Sequence, residues 1–319
     1  MGAQQRIYRR RIAATQSTRK ITKAMELIAA SRIVRAQSRM KAARPYADEL
    51  TRALKAVLQD KSLKNPMLTG VENPRRTAIL VITSDRGLAG GYNANALKKA
   101  NTLAADLESD GREVVRYVIG RKGVAFYNFR HIPMAGSWTG FSEQPAFADI
   151  RELTEQIGFA LQATSEGEYR DEPGVDELYI VYTQFTNSVT QTAVSQLLAP
   201  VKDAVDEAET DDQGNSDDDS GKDESSLPTV YEFEPDANRL LDALLPRYIS
   251  ARIFSALLES AASESAARRR AMKSASDNAT DLIKTFTRLA NQARQAEITQ
   301  EISEIVGGAD ALAAAGVED

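Results

Sequence analysis

Cysteine is absent from this chain, and histidine occurs once, at His131. The first absence excludes disulfides and thiolate chemistry. The two together leave almost nothing from which to build a zinc or haem site. No run of 18 consecutive apolar residues occurs, which argues against a membrane-spanning helix. The opening MGAQQRIYRRR has no apolar stretch of the kind a secretory leader needs, and Arg6 stands where a myristoylation signal has Ser or Thr. A cytoplasmic location is the expectation. Aromatic residues make up only 6% of the 319 residues, while alanine is abundant, which favours helix over a thick aromatic core.

Proline and glycine are also missing where their absence says most. Between residues 247 and 306 there is neither, and Pro246 is the one interruption just before. An unbroken helix over that stretch would be on the order of 90 Å long at 1.5 Å per residue. A single helix owes most of its stability to packing of an apolar face, so this one needs a partner along its length. Residues 3–58 supply a candidate. They contain no glycine and one proline, Pro45. Ile7, Ala14, Ile21 and Ile28 recur at intervals of seven, with Thr18 and Met25 between, and the stripe continues through Met40, Ala43, Ala47, Leu50, Leu54 and Val57. In the C-terminal segment Met272, Ala275, Ala279, Ile283, Phe286, Ala290, Ala293 and Glu297 are spaced by three and four. A membrane-surface helix would want a broader apolar face with Trp or Phe.

The middle of the chain has a different period. Residues 60–76 carry Pro66, Gly70 and Pro74 and read as a loop. TAILVIT (77–83), EVVRYVIG (113–120) and ELYIVYTQF (177–185) read as strands, and TQTAVSQLLAPV (190–201) as a strand leading out. NANALKKANTLAADL (93–107), RKGVAFYNF (121–129) and FADIRELTEQIGFALQAT (147–164) read as helices. Alternation of this kind implies a Rossmann-like α/β domain with a largely parallel sheet over 77–201. The expected fold class is therefore α plus α/β. A helix over 1–58 runs down to the central domain, and one over 234–306 runs back up. The two pair as a long antiparallel coiled coil.

Charge is distributed unevenly. The net charge is −5, but residues 1–47 hold 12 Lys/Arg against one acid, Glu26, while residues 203–224 hold 11 Asp/Glu against one Lys. The acidic, Ser/Gly-bearing stretch 203–227 is expected to be a disordered insertion, and 167–177 a second, shorter acidic turn. A basic end implies an acidic partner, whether nucleic acid, anionic lipid or an acidic protein surface.

The residues with a chemical look are TSDRGLAGGYNAN (83–95), a glycine-bearing loop between a strand and a helix, where α/β folds bind phosphates. Gly87, Gly90 and Gly91 fit neither G-x-G-x-x-G nor the P-loop pattern. They read as a tight structural turn needing positive φ, with Asn93 near the helix start. No histidine motif or carboxylate pair offers catalysis. The residues leave open a nucleotide-dependent enzyme built on 77–201 and a coiled-coil nucleic-acid binder; a third reading, a mechanical coupling subunit, comes from a resemblance.

Three ordered stretches separate them. RRRIAATQSTRKITKAMELIAASRI, TSDRGLAGGYNAN, and YISARIFSALLESAASESAARRRAMKSASDNATDLI followed by ARQAEITQEISEIVGGA resemble the gamma subunit of F-type ATP synthases over nearly the whole chain. The resemblance implies a central rotor shaft without a catalytic site, cofactor or metal of its own. Its paired helices would stand inside a ring of three alpha and three beta subunits. Its α/β domain, with an epsilon subunit, would sit on a membrane c-ring at the cytoplasmic face of the cell membrane. The basic helix would then face acidic protein rather than nucleic acid. Rotation would couple proton flow to ATP synthesis and take part in regulating ATPase activity. By motif position, Met25 and Arg268 would face an acidic loop of a beta subunit. Arg294, Gln295, Thr299 and Glu301, with Glu304, would belong to the region coupled to rotation. The stretches 167–177 and 203–227 depart from the family pattern.

Overall fold

A computed structural model describes residues 3–58, 65–165, 167–169, 172–201 and 237–315. The expected insertion 203–227 lies outside the described residues. In chain order the elements are α1 (Ala3–Leu58), α2 (Pro66–Thr69), β1 (Arg76–Ile82), α3 (Tyr92–Ser109), β2 (Glu113–Ile119), α4 (Arg121–Phe129) and β3 (Gly136–Trp138). A 3-10 turn (Phe147–Ile150) leads into α5 (Arg151–Ala163). The small antiparallel pair β4 (Glu168–Tyr169) and β5 (Glu172–Pro173) occupies part of the acidic turn, and β6 (Glu177–Phe185), β7 (Gln191–Ala199) and α6 (Ala237–Ala315) follow. By compactness the chain forms two units: Ala30–Arg268, and Met1–Ala29 with Arg269–Asp319.

The first unit is built on a five-stranded sheet in the order β3-β2-β1-β6-β7. Four strands are parallel and β7 runs antiparallel to β6. The central strand β1 is buried from Thr77 to Ile82. A continuous apolar run, rather than an alternating one, is what a parallel strand covered on both faces requires. On one face Ile79, Val81, Val118 and Val181 pack against Leu97, Ala100, Ala104 and Leu107 of α3 and Tyr127 of α4. On the other, Leu80, Ile82, Tyr117 and Ile180 share a core with Leu153 and Ile157 of α5. Leu54 and Val57 of α1 and Leu241, Leu245, Ile249, Ile253 and Leu257 of α6 belong to that same core. Each such side chain contributes about 1.5–3 kcal/mol by leaving water. The two long helices are thus integral to the α/β unit, and β3, too short to read in the sequence, closes one edge.

In the second unit α1 and α6 run antiparallel. Thr22 and Ser276 share a buried hydrogen bond of 2.7 Å, and the Arg11 guanidinium lies 5.7 Å from the centre of the Phe286 ring. Eleven residues back along α1 thus match ten forward along α6, so the start of α1 comes level with residues 293–297. There the half-buried positions of α6 stop, and residues 298–309 are exposed throughout.

The expected seam holds in α6, where Met272, Ala275, Ala279, Ile283, Phe286, Ala290, Ala293 and Glu297 are all buried or half-buried. It also holds in α1 from Met40 to Val57. In the first half of α1 it is corrected. Ile7, Ala14, Thr18, Ile21 and Ile28 are exposed, Ile21 by 58%. The covered positions are Gln5, Tyr8, Ile12, Thr15, Thr22, Met25, Glu26 and Ala29, which, Met25 apart, continue the Leu54 and Val57 heptads backwards except at the exposed Arg19. The seam there is largely polar, and the large apolar Ile7, Ile21 and Ile28 lie outside it.

Candidate functional site

The crevice beyond the carboxyl ends of parallel strands is where doubly wound sheets take ligands. Here it is filled by the chain itself. Thr83 follows β1, and its hydroxyl donates to the Ile119 carbonyl at 2.8 Å and accepts from Gly123 N–H at 2.9 Å. The Ser84 hydroxyl donates to the Arg86 carbonyl at 2.6 Å, and Ser84 N–H donates to Asn93 Oδ1 at 2.9 Å. The Asp85 carboxylate accepts N–H groups from Gly140, Ser142 and Arg121 at 2.8, 3.0 and 3.1 Å. Ser84, Asp85 and Arg86 are therefore a loop-tying set, with Asp85 fastening residues 140–142 to the end of β1 and to the start of α4.

Of the three glycines expected to need positive φ, only Gly90 has it, at +57°; Gly91 sits at −80°, Gly87 is not left-handed either, and Leu88 takes the other left-handed position at +64°. Glycine is demanded more strictly at Gly120, where φ is +97° and a Cβ would overlap the Thr83 carbonyl.

Across the mouth of this crevice lies α6. The Ser263 hydroxyl donates to the Thr183 carbonyl near the end of β6 at 3.0 Å, and Ala267 packs against Ala89 and Tyr92. Arg268 reaches the carbonyls of Arg86 and Gly87 at 3.3 and 3.4 Å. The Gly87–Asn93 loop is thus covered by Ala267 and Arg268 of α6.

A buried charge cluster surrounds Arg268. Its Nη2 donates to Glu264 Oε1 at 2.6 Å, one turn back on α6, and its Nη1 lies 3.1 Å from Glu143 Oε1. Its side chain is 6% exposed and that of Glu264 1%. Glu143 also pairs with Arg32 of α1, and with Arg86 at 3.5 Å. Burial pushes the Glu264 carboxyl above the usual carboxylate range, with the Arg268 charge working against it and Glu143 adding to it. Tyr92, fully enclosed beside Glu264, is pushed up by burial first and by that carboxylate second.

The expected site residues are not one cluster. Arg268 belongs to the first unit, and its buried guanidinium faces carboxylates and carbonyls of its own chain. Met25 is half-buried in the second unit. Arg294, Gln295, Thr299, Glu301 and Glu304 are exposed on α6, where the Thr299 hydroxyl donates to the Gln295 carbonyl and Gln300 to Glu304. Ile298, Ile302, Ile305 and Val306 are bare among them, Ile305 by 71%. Sequence reading missed Glu143 and Glu264. The i,i+4 spacing of Glu264 and Arg268 is the one signal that would have found a member of the cluster.

A family model described as ATP synthase matches residues 4–312. The ATP synthase gamma chain of Streptomyces griseus is 54% identical over 315 residues, covering 98% of this chain and 97% of that one. The ATP synthase gamma chain of Acidothermus cellulolyticus is 51% identical over 318 residues, with both chains covered in full. Among solved structures, a chain of the Euglena gracilis mitochondrial ATP synthase aligns with a TM-score of 0.66 at 17% identity, over 100% of this chain and 97% of that one. A chain of the Tetrahymena thermophila mitochondrial central stalk and c-ring aligns with a TM-score of 0.55 at 23% identity, over 80% and 99%. These last two speak to the fold; the bacterial relatives carry the kinship.

Proposed function

The chain belongs to the ATP synthase gamma-chain family, and we propose that it is the rotor shaft of a bacterial ATP synthase, a subunit without a catalytic site of its own. In this reading the α/β unit rides with an epsilon subunit on a membrane c-ring at the cytoplasmic face. The paired helices stand within a ring of three alpha and three beta subunits, and proton-driven turning changes the nucleotide affinity of each beta site in succession. Torque is then a difference in affinity between orientations of the shaft. Among the described residues no helix is long and apolar enough to cross a membrane, which suits attachment through other subunits.

The observation that carries this reading, beside the kinship, is the end of α6. Past residue 297 no helix among the described residues packs against it, yet it keeps Ile298, Ile302, Ile305 and Val306 exposed. A contiguous exposed apolar surface marks an interaction site. Arg294, Gln295, Thr299, Glu301 and Glu304 ring that surface and are the residues proposed to contact the surrounding subunits. Met25, together with the exposed Ile21 and Ile28 nearby, is proposed to meet a beta subunit lower on the shaft.

The test is co-purification. An affinity tag on this chain should recover alpha and beta subunits at three of each per copy, with ATPase activity that the chain alone lacks. Recovery of the chain as a lone species with its own nucleotide affinity would favour the enzyme reading instead.

A further inference from the structure

Three arginines from three separate elements converge on one carboxylate. Arg32 comes from α1, Arg86 from the loop after β1 and Arg268 from α6, and all pair with Glu143. Glu143 is itself fixed to the sheet. Its loop is held by Asp85, which takes the N–H groups of Gly140 and Ser142, while Asp85 N–H donates to the Ser142 hydroxyl at 2.9 Å. A connected path therefore runs from the end of β1 through Asp85 and the 140–143 loop to both long helices.

The position of this junction along the chain is informative. The first unit begins at Ala30 and ends at Arg268. Arg32 and Arg268 thus lie in the last turn of each helix before it leaves that unit. Deeper in the unit the helices are held by large apolar residues such as Leu54, Leu245 and Ile253. From residue 261 to Arg268 the covered positions of α6 carry no large apolar side chain: they are Ala261, Ala262, Ala266 and Ala267 with the polar Ser263, Glu264 and Ser265 between them. Alanine burial is weak and non-directional, and it resists the turning of a helix about its own axis poorly. Attraction of Arg32 and Arg268 to one fixed carboxylate instead favours the orientation in which each helix turns its arginine toward the 140–143 loop.

We propose that Glu143 is a positioning residue that locks α1 and α6 to the α/β unit where they leave it, so that turning of that unit is transmitted to the shaft rather than lost as slip. The inference rests on the rotor-shaft reading. It adds one residue, in a loop between β3 and α5, on which coupling depends although it meets neither nucleotide nor ion. Arg268 and Arg32 act through it. Arg86, 70% exposed and at 3.5 Å, is a minor member.

The experiment uses the whole ATP synthase in inverted membrane vesicles, with ATP hydrolysis and ATP-driven acidification measured on the same preparation. For Glu143→Gln, hydrolysis per assembled complex should stay within about twofold while acidification per ATP falls by about threefold or more, because the amide removes the one charge that Arg32 and Arg268 share and leaves Arg268 held by Glu264 of its own helix alone. Glu143→Asp, which keeps the charge, should recover part of the ratio, and Arg86→Met should leave it unchanged. A merely destabilising change lowers the amount of complex and both rates together. An unchanged acidification-to-hydrolysis ratio in Glu143→Gln would overturn the proposal. If that variant does not assemble, the same ratio in Arg32→Gln decides it, with the same two outcomes. Failure of the wild-type complex to acidify vesicles would instead overturn the rotor-shaft reading, so the two failures are distinguishable.

Discussion

Arg268 and Asp176 show how much of this fold rests on single charged side chains. Removing one partner of a buried ion pair leaves the other charge stranded, which costs more than the intact pair ever contributes. Arg268→Met leaves Glu264 buried without its cation and should destabilise the full chain by about 3–5 kcal/mol, read from the shift of its urea midpoint. Asp176 accepts N–H groups from Arg75, Arg76 and Ser165 at 2.8, 3.1 and 2.8 Å, tying the start of β1 to the end of α5. Burial alone would raise its carboxyl, but these three donors outweigh burial and hold it below the usual carboxylate value. A carboxylate held low stabilises the fold above its unfolded value, and that contribution is lost as pH falls through the folded one. Wild type should therefore lose stability, as pH falls below about 4, more steeply than Asp176→Asn. At neutral pH the variant should be less stable by about 1–3 kcal/mol, since the amide offers one acceptor oxygen in place of two. Denaturation series at several pH values check both statements.

At the scale of elements, the seam of α1 makes the sharpest distinction. Leu54 lies on it within the core, and Ile21 lies off it. Leu54→Ala should cost about 2–5 kcal/mol, whereas Ile21→Ala in the free chain should cost no more than about 0.5 kcal/mol. Equal costs in urea denaturation would mean that the register assigned to the first half of the helix is wrong. The same contrast explains what could be read from the sequence. Pattern reasoning assumes that large apolar residues face the chain's own interior. That assumption holds in Met40–Val57 and Met272–Glu297, and along β1 and β6, where the helices and sheet bury one another. It fails at Ile7, Ile21 and Ile28, because here the inward positions include Gln5, Thr15 and Thr22, and the two hydroxyls find partners in the Arg11 carbonyl and Ser276. The strands with continuous apolar runs were legible, while β3, three residues at an edge, carried too little contrast. Loop residues are the least legible of all. Asp85 and Glu143 lie 58 residues apart in sequence, and only the folded sheet brings Asp85 to the backbone that carries Glu143. The exposed tip residues were legible only through kinship, since their spacing alone is that of any amphipathic helix end.

For the molecule as a whole, the consequential fact is that its structure outruns its own core. From residue 298 to 309 α6 keeps helical geometry with no buried side chain. Twelve residues without tertiary packing lie at the margin of helix stability in water, and Gly307 and Gly308 lower it further by about 1 kcal/mol each relative to alanine. In the free chain, backbone amides of this segment should therefore exchange with deuterium far faster than those of residues 272–290, whose seam packs against α1 in the second unit. On assembly with alpha and beta subunits the ordering should reverse in part. If Ile298, Ile302 and Ile305 are enclosed by neighbouring chains, amides 298–306 should gain protection by about two orders of magnitude or more, corresponding to a local opening energy raised by about 3 kcal/mol. Amides on α4 near Phe129, which belongs to the first unit, should not change in the alpha–beta complex alone. A tip that stays unprotected in the assembled complex would separate the two roles proposed for the helix. The shaft would then turn through contacts at Met25 and the outer face of α1, and the exposed isoleucines would need another explanation.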